Sequence, residues 1–309
     1  MPIVVNSNAS AASASFNLSR ANDSLRSSLE RLSSGKKINR SSDDAGGLAV
    51  AYKLESKERR TKATMQNMQN ALSYLQVQDG AMSTLGKIFD RMSQLRTMAA
   101  DISKNSADAE NYSKEFIELQ FQFNQISNQR FNGISLFASN GSAPLGNVTK
   151  GTETYRKSNG SIITYEKFGR HLQLTPASGE TSVSINLINF EFVAAYDALD
   201  PTKHNLVQIN GDSYADRITD FEISIFSDAM ERIADARAEN GAEQNRIMQA
   251  LAFQEVNYTN LESAHGRIMD ADIAVESTRF ARSNVLVQSG AAMTAQANQL
   301  TRLALTLIQ

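Results

Sequence analysis

Three histidines, His171, His204 and His265, are the only imidazoles in 309 residues, and cysteine and tryptophan are absent. No histidine stands at ligand spacing from another, and no His-Glu-x-x-His occurs, so the chain encodes no recognisable zinc site. Without cysteine there can be no disulfide, thiolate metal site or cysteine nucleophile. The run "SSDDAGG" at 41–47 resembles a phosphate loop in glycine content, but it lacks the Lys-Ser/Thr of a P-loop. Its Ser42, Asp43 and Asp44 suit a helix N-cap instead. His265, next to Gly266 at a heptad core position, reads as a hydrogen-bonded interface histidine. "KK" at 36–37 and "ERR" at 58–60 read as solvated faces or intersubunit ion pairs. Asn140 and Asn147 head Asn-x-Ser/Thr triplets, which chance supplies in a chain this rich in Asn and Ser. No nucleophile–base pair, cofactor motif or metal set is predicted, and an enzyme carried by 140–226 has no support in residue spacing.

The elements that hold these residues look like those of a rod. Lys and Arg total 31 against 33 Asp and Glu, a balance that argues against nucleic acid or an anionic membrane as partner. No apolar run reaches the ~18 residues of a membrane span. The N-terminus has no basic region before its short apolar piece and makes a poor signal peptide. The prolines are Pro2, Pro144, Pro176 and Pro201, so 3–143 and 202–309 are free of this helix breaker.

Apolar residues follow helical spacing in both long stretches. Leu18, Ala21, Leu25, Ser28/Leu29 and Leu32 form one stripe. Gly35 suits its C-terminal cap. Met68, Ala71, Leu75, Gln78, Met82, Leu85, Phe89 and Met92 make a heptad seam with one polar member. A helix from about Asp44 to about Ala100 would be roughly 85 Å long. After a polar break at 101–113, Phe116, Leu119, Phe123 and Ile126 predict a shorter helix, closed by the Asn132–Gly133 turn. A second long helix is expected from near Ser227 to about Gly266, its seam carrying Met230, Ile233, Ile247, Leu251, Tyr258, Leu261 and Ile268. Arg237, Asn240, Gln244, Gln254 and His265 are polar intrusions in it. Between lie β-prone runs, "SIITYEKF", "HLQLT", "TSVSINLINFEF" and "FEISIF", with "SNGS" and "ASGE" as turns. The fold class expected is mainly α with a β insertion: long antiparallel coiled-coil-like helices from both chain ends and a small β-hairpin region in the middle.

The last 26 residues, from Asn284, carry a single charge, Arg302, and no proline. Leu286, Gly290, Met293, Ala297, Leu300, Ala304 and Leu307 repeat to the end as a heptad. A free terminus usually frays, so a tail patterned this way is built to pack. Its alternation of small and large residues lets a neighbouring backbone approach closely.

The motifs "LERLSSGKKINRSSDDAGGLAVAYKL", "FNGISLF", "RIMDADIAVEST" and "QSGAAMTAQANQ", in this order and at both ends, resemble bacterial flagellin, the subunit of the flagellar filament. The likeness covers about 1–137 and 224–309. It implies an extracellular structural protein of the bacterial flagellum that self-assembles into a helical homopolymer for swimming motility, with no enzymatic role. A hook–filament junction protein with similar termini is the alternative. The implied partners are other copies of the chain, a flagellar export chaperone, and the hook-associated junction and cap proteins. The implied division is an inner terminal-helix domain of 1–40 with 278–309, a rod of 41–140 with 224–277, and a variable, dispensable outer region at 141–223. The polymerisation interface expected is Leu25, Leu29, Leu32, Leu286, Met293, Ala297, Leu300 and Leu307, on helices that order only on assembly. Arg91 and Leu95 fall where the family's receptor-sensed surface lies, with Ser93 and Gln94 replacing further charges of the sensed form.

Overall fold

The computed structural model describes residues 8–138, 148–156, 162–175, 182–194 and 218–306. The fold is 75% helical, the mainly-α class expected. Two compact units divide the chain: a terminal unit of 1–59 with 258–309, and a middle unit of 60–257. The helices are α1 (Ala9–Ser34), α2 (Ala45–Ala99), α3 (Ser106–Ser127), the short α4 (Phe190–Val193), α5 (Ile223–Met269) and α6 (Ile273–Thr306). The strands are β1 (Arg130–Phe131), β2 (Ile134–Ser135), β3 (Phe137–Ala138), β4 (Val148–Arg156), β5 (Ile162–Gln173) and β6 (Ser182–Asn189).

In the middle unit the heptad seam of α2 is the core. Met68, Leu75, Gln78, Met82, Leu85, Phe89, Met92 and Leu95 are all fully buried. The α5 seam starts at Phe226 and continues through Ala229, Ile233, Ala236, Asn240 and Ile247, each buried, at the spacing of one helical stripe. Met230, read as a seam member, lies outside it and is exposed. The polar intrusions have partners: Asn240 donates to Gln78 Oε1 at 2.8 Å and Gln244 donates to Asn240 Oδ1. Arg237 pairs with Asp79 at 2.9 Å. The helix α3 begins earlier than the polar run "DISKNSADAENYS" implied, because Asn105 and Asp108 form a reciprocal capping box. Its Phe116, Phe123 and Ile126 face the core.

Asn132 and Gly133, at φ of 50° and 78°, close the β1–β2 hairpin with Phe131 opposite Ile134. Both turn positions need a left-handed backbone, which the Asn-Gly pair supplies. The larger sheet has the order β3-β6-β5-β4, with β3 parallel to β6 and the other pairs antiparallel. In β6, Val183, Ile185 and Leu187 turn inward, the alternation legible in "TSVSINL".

Three local readings change. "SIITYEKF" and "HLQLT" fall in or beside one long strand, β5. "INFEF" leaves the sheet at Phe190 for the short helix α4. "FEISIF" is the entry into α5 and not a strand, because Phe221 and Phe226 bury against Phe116, at 5.2 and 6.1 Å between ring centroids. Nor are all the strands of 141–223 an outward appendage. Phe168, Leu187, Ile188, Phe190, Phe192, Val193 and Ala194 lie in the same buried cluster as the α2 seam. The "SNGS" and "ASGE" turns, Asn140, Asn147 and His204 lie outside the described residues.

Candidate subunit interface

The terminal unit is organised around α1 and α6. Asn8 caps α1 by accepting the Ala11 N–H at 3.0 Å, and its Nδ2 donates to Ala297 O at 2.8 Å. Gly35, at φ 68°, ends the helix in the left-handed cap foreseen for it. Asp272 caps α6 by accepting the N–H groups of Ala274 and Val275, at 2.9 and 3.1 Å. The connection that leaves α1 and the one that leads into α6 pair with each other. Lys37 N–H donates to Met269 O at 2.6 Å and Ala271 N–H donates to Gly35 O at 2.9 Å, so "SSGKK" and "RIMDAD" form a small antiparallel bridge. Ile38, Ala51 and Met269 bury beside it.

"SSDDAGG" is a capping element. Asp44 accepts the Gly47 N–H at 2.8 Å. Asp43 accepts the N–H groups of Asn39 and Arg40 at 3.1 and 3.0 Å; these backbone donors, Arg40 foremost, hold its carboxyl below the usual carboxylate range. A Cβ on Gly47 would stand 2.4 Å from Asp44 Oδ2 and 3.1 Å from Ile38 Cδ1, which accounts for a glycine in the first turn of a helix.

The helices run antiparallel: the Asn8 end of α1 meets Ala297, Leu18 meets Gly290, and Arg31 lies near Glu276 at 3.9 Å. A Cβ on Gly290 would fall 3.3 to 3.6 Å from Leu18 atoms, including its Cα, so this glycine marks a close backbone approach. The inward stripe of α1 is Ala11, Ala14, Leu18, Ala21, Leu25, Ser28 and Leu32. That of α6 is Glu276, Phe280, Ser283, Val287, Gly290, Thr294 and Ala297, every member three or four residues from the next.

This places the expected interface residues in two groups. Leu25 and Leu32 are half-buried and Ala297 is buried, within the subunit's own seam. Leu29, Leu286 and Met293 point to solvent, 55%, 53% and 60% exposed. The side chain of Leu300, and Leu307, lie outside the described residues. Leu29 also walls a groove of about 480 Å³ with Leu25 and Arg26. Reading the sequence by its largest apolar residues followed the Leu286–Met293 line and missed Phe280, Ser283, Val287 and Thr294. The mixed seam they form is visible only when polar and small residues are allowed into the count.

Arg91, exposed, pairs with Glu115 at 2.7 Å, whereas Leu95 is fully buried in the middle unit. His171 is exposed on β5 and His265 is half-buried on α5. Among the described residues no group of three or more His, Asp or Glu is placed to hold a metal ion, and no helix is long and apolar enough to cross a membrane.

The sequence matches known proteins. Residues 5–142 match the family described as bacterial flagellin N-terminal helical region, and 223–308 match the bacterial flagellin C-terminal helical region. The chain belongs to the bacterial flagellin family. Flagellin FlaB2 of Treponema pallidum is 30% identical over 99% of this chain and 100% of its own length. The flagellin of Bacillus subtilis is 28% identical over 96% of both. Among solved structures, a protein assigned as flagellar hook-associated, from Vibrio parahaemolyticus, superposes with a TM-score of 0.55 at 16% identity. It covers 74% of this chain and 100% of its own, a likeness of fold. As a flagellin, this protein is a structural subunit of the extracellular flagellar filament. The two flagellin regions contain the helices α1, α2, α3, α5 and α6, and the sequence between them holds most of the sheet.

Proposed function

We propose that this flagellin polymerises through the outward face of its terminal helix pair, Leu29, Leu286 and Met293, with Leu300 and Leu307 as further contacts of the polymer and with Leu25, Leu32 and Ala297 holding the pair together beneath. One observation carries this reading. Large apolar side chains of these helices, Phe16, Leu29, Leu286 and Met293 among them, face solvent in the single subunit, while small and polar residues share the seam between them with Leu18, Leu25, Leu32 and Phe280. A subunit that acted alone would gain by the reverse arrangement. A seam in which Ala, Ser, Gly and Thr alternate with half-buried Leu and Phe buries less apolar area than an all-leucine one, so the helix pair gains support when neighbours cover it, and its full ordering belongs to assembly.

In this reading 1–40 with 278–309 form the filament core and 41–140 with 224–277 the rod, while 141–223 forms the outer region, anchored through β5, β6 and α4 in the buried cluster of the α2 seam. The work of the molecule is mechanical and not catalytic. Copies of itself are its main partner; an export chaperone and the hook-associated junction and cap proteins are the others. A junction protein would use similar termini in few copies, but the flagellin motifs at both ends favour the filament.

The test is Leu286→Asp with Met293→Asp. Each carboxylate would enter a dry contact at a cost of several kcal/mol, repeated in every subunit. Sedimentable polymer should disappear while the melt of the middle unit stays unchanged. Filaments of normal yield from the double variant would remove this face from the interface.

A further inference from the structure

An amine, a carboxamide and a carboxylate meet where β5, β6 and α5 pack together, and the filament reading gives them no role. In the β5–β6 register Gly169 stands opposite Asn186. Lys167, two residues back on β5, therefore shares a face with Asn186 and is its diagonal neighbour, within reach of a long side chain. Gly169 has no side chain to separate them. Glu239 of α5 grips both: its Oε1 accepts from Lys167 Nζ at 3.1 Å and its Oε2 from Asn186 Nδ2 at 2.6 Å. All three residues are half-buried. The backbone of Asn186 is fixed as well, because its N–H donates to Glu243 at 3.0 Å. Its Oδ1 is buried and makes no hydrogen bond, so Glu239 is the one partner of this side-chain amide among the described residues.

We propose that Lys167 and Asn186 join in an intramolecular isopeptide bond, with Glu239 as the proton relay between them. Glu239 Oε1 takes a proton from Lys167 Nζ, and the free amine attacks Asn186 Cγ. Glu239 Oε2 already lies at the nitrogen that must leave, and the proton is returned there. The Cγ–Nδ2 bond breaks and an Nζ–Cγ bond forms. The ammonium and the carboxamide become one secondary amide and an ammonium ion, with no oxidant or cofactor in the balance. Holding both reacting groups on one carboxylate makes the step unimolecular. The ion pairs set its pace. Burial favours the free amine, but Glu153, at 2.6 Å, and Glu239 outweigh it and raise the Lys167 pKa above its ordinary value. The bond therefore forms slowly, and faster as pH rises. A covalent tie has a use here. The chain has no cysteine, so no disulfide can brace this extracellular subunit. The strands that the bond would join carry Phe168 and Leu187 of the main core.

The test is mass spectrometry of the full-length protein, first as purified and then after days at alkaline pH. The bonded chain is lighter than its sequence by one ammonia molecule, and a digest should contain a branched peptide that joins the Lys167 and Asn186 segments. The branched peptide decides, because a succinimide at an Asn-Gly step such as Asn132–Gly133 loses the same mass. Bonding should run roughly tenfold or more faster at about pH 9 than at about pH 6, since more of the amine is free. Lys167→Arg keeps the charge and cannot react, so it should give no branched peptide and should melt below the bonded wild type. Glu239→Gln keeps the shape without the base and should bond roughly tenfold or more slowly. Wild-type protein with no branched peptide after the alkaline incubation would overturn the bond. Equal bonding in Glu239→Gln would overturn the relay. Polymerisation, read separately by sedimentation, is expected with or without the bond.

Discussion

Gln78 occupies a heptad core position and is fully buried, where leucine would be the expected residue. Its Nε2 donates to Leu136 O at 2.9 Å and its Oε1 accepts from Asn240 at 2.8 Å, so it ties α2 both to the short strands and to α5. A polar pair inside a coiled seam specifies register at some cost in stability. Gln78→Leu should therefore lose roughly 1–3 kcal/mol, chiefly because the Asn240 amide is left buried without its acceptor. Gln78→Leu with Asn240→Leu should be less destabilised than Gln78→Leu alone, since both partners then become apolar while Leu136 O keeps the Tyr74 hydroxyl at 3.4 Å. Chemical denaturation of the three variants gives the coupling energy. Additive losses would mean that the pair does not act as a unit.

At the scale of elements, the helices were legible because large apolar residues recur at the helical period in α2 and α3, and because Gly35 and the "SSDDAGG" caps punctuate the chain. What the sequence hid was pairing. Asn240, Gln254 and Ser28 look like interruptions until the partner element is known. β5 and β6 show the same limit. On the edge of β6 away from β5, only the short strand β3 pairs with it among the described residues, at Ile188 and Asn189, so further along that edge the Asn186 N–H meets both oxygens of Glu243, at 3.0 and 3.1 Å. A helix carboxylate thus stands in for a missing strand. Burial pushes the Glu243 carboxyl up to about 7 and the nearby Glu239 carboxylate adds to this, while the Asn186 N–H, Lys167 and Arg246 pull it down. The folded value lies above the unfolded one, near 4.3, so the folded state binds the extra proton between them. Stability then falls as pH rises from about 4.3 to 7 and levels off above. Glu243→Gln should flatten that window and be the more stable protein at pH 8, by on the order of 2 kcal/mol. Melts at several pH values check this; parallel curves for both proteins would exclude Glu243 as the source.

For the whole molecule, the two compact units assign different consequences to losing different parts of the chain. Residues 290–309 belong to the terminal unit and 145–220 fall inside the middle unit. Removing 290–309 takes away Gly290, where the backbone of α6 closely approaches Leu18 of α1, together with Met293, Ala297 and the rest of the tail, but no residue of the middle core. Polymer should be lost and the middle unit should melt as before. Removing 145–220 and closing the gap with a short linker would look harmless from sequence, where the region reads as a surface insertion of the kind chains tolerate. The buried residues of the region argue for the opposite outcome. The deletion would remove Phe168, Leu187, Phe190 and Phe192 from the main core, taking away the Phe190 ring that lies 4.3 Å from Phe123 and the Phe192 carbonyl that accepts from the buried Arg232 at 2.8 Å. Each such side chain contributes about 1.5–3 kcal/mol by burial, and a domain's whole stability is on the order of 5–15 kcal/mol. The deleted protein should therefore show a middle unit that is melted or bound to a dye for exposed apolar surface, and it should fail to polymerise for that reason. A deletion variant that melts like the full chain would mean that the α2, α3 and α5 seams close on their own, with the sheet contributing nothing to them.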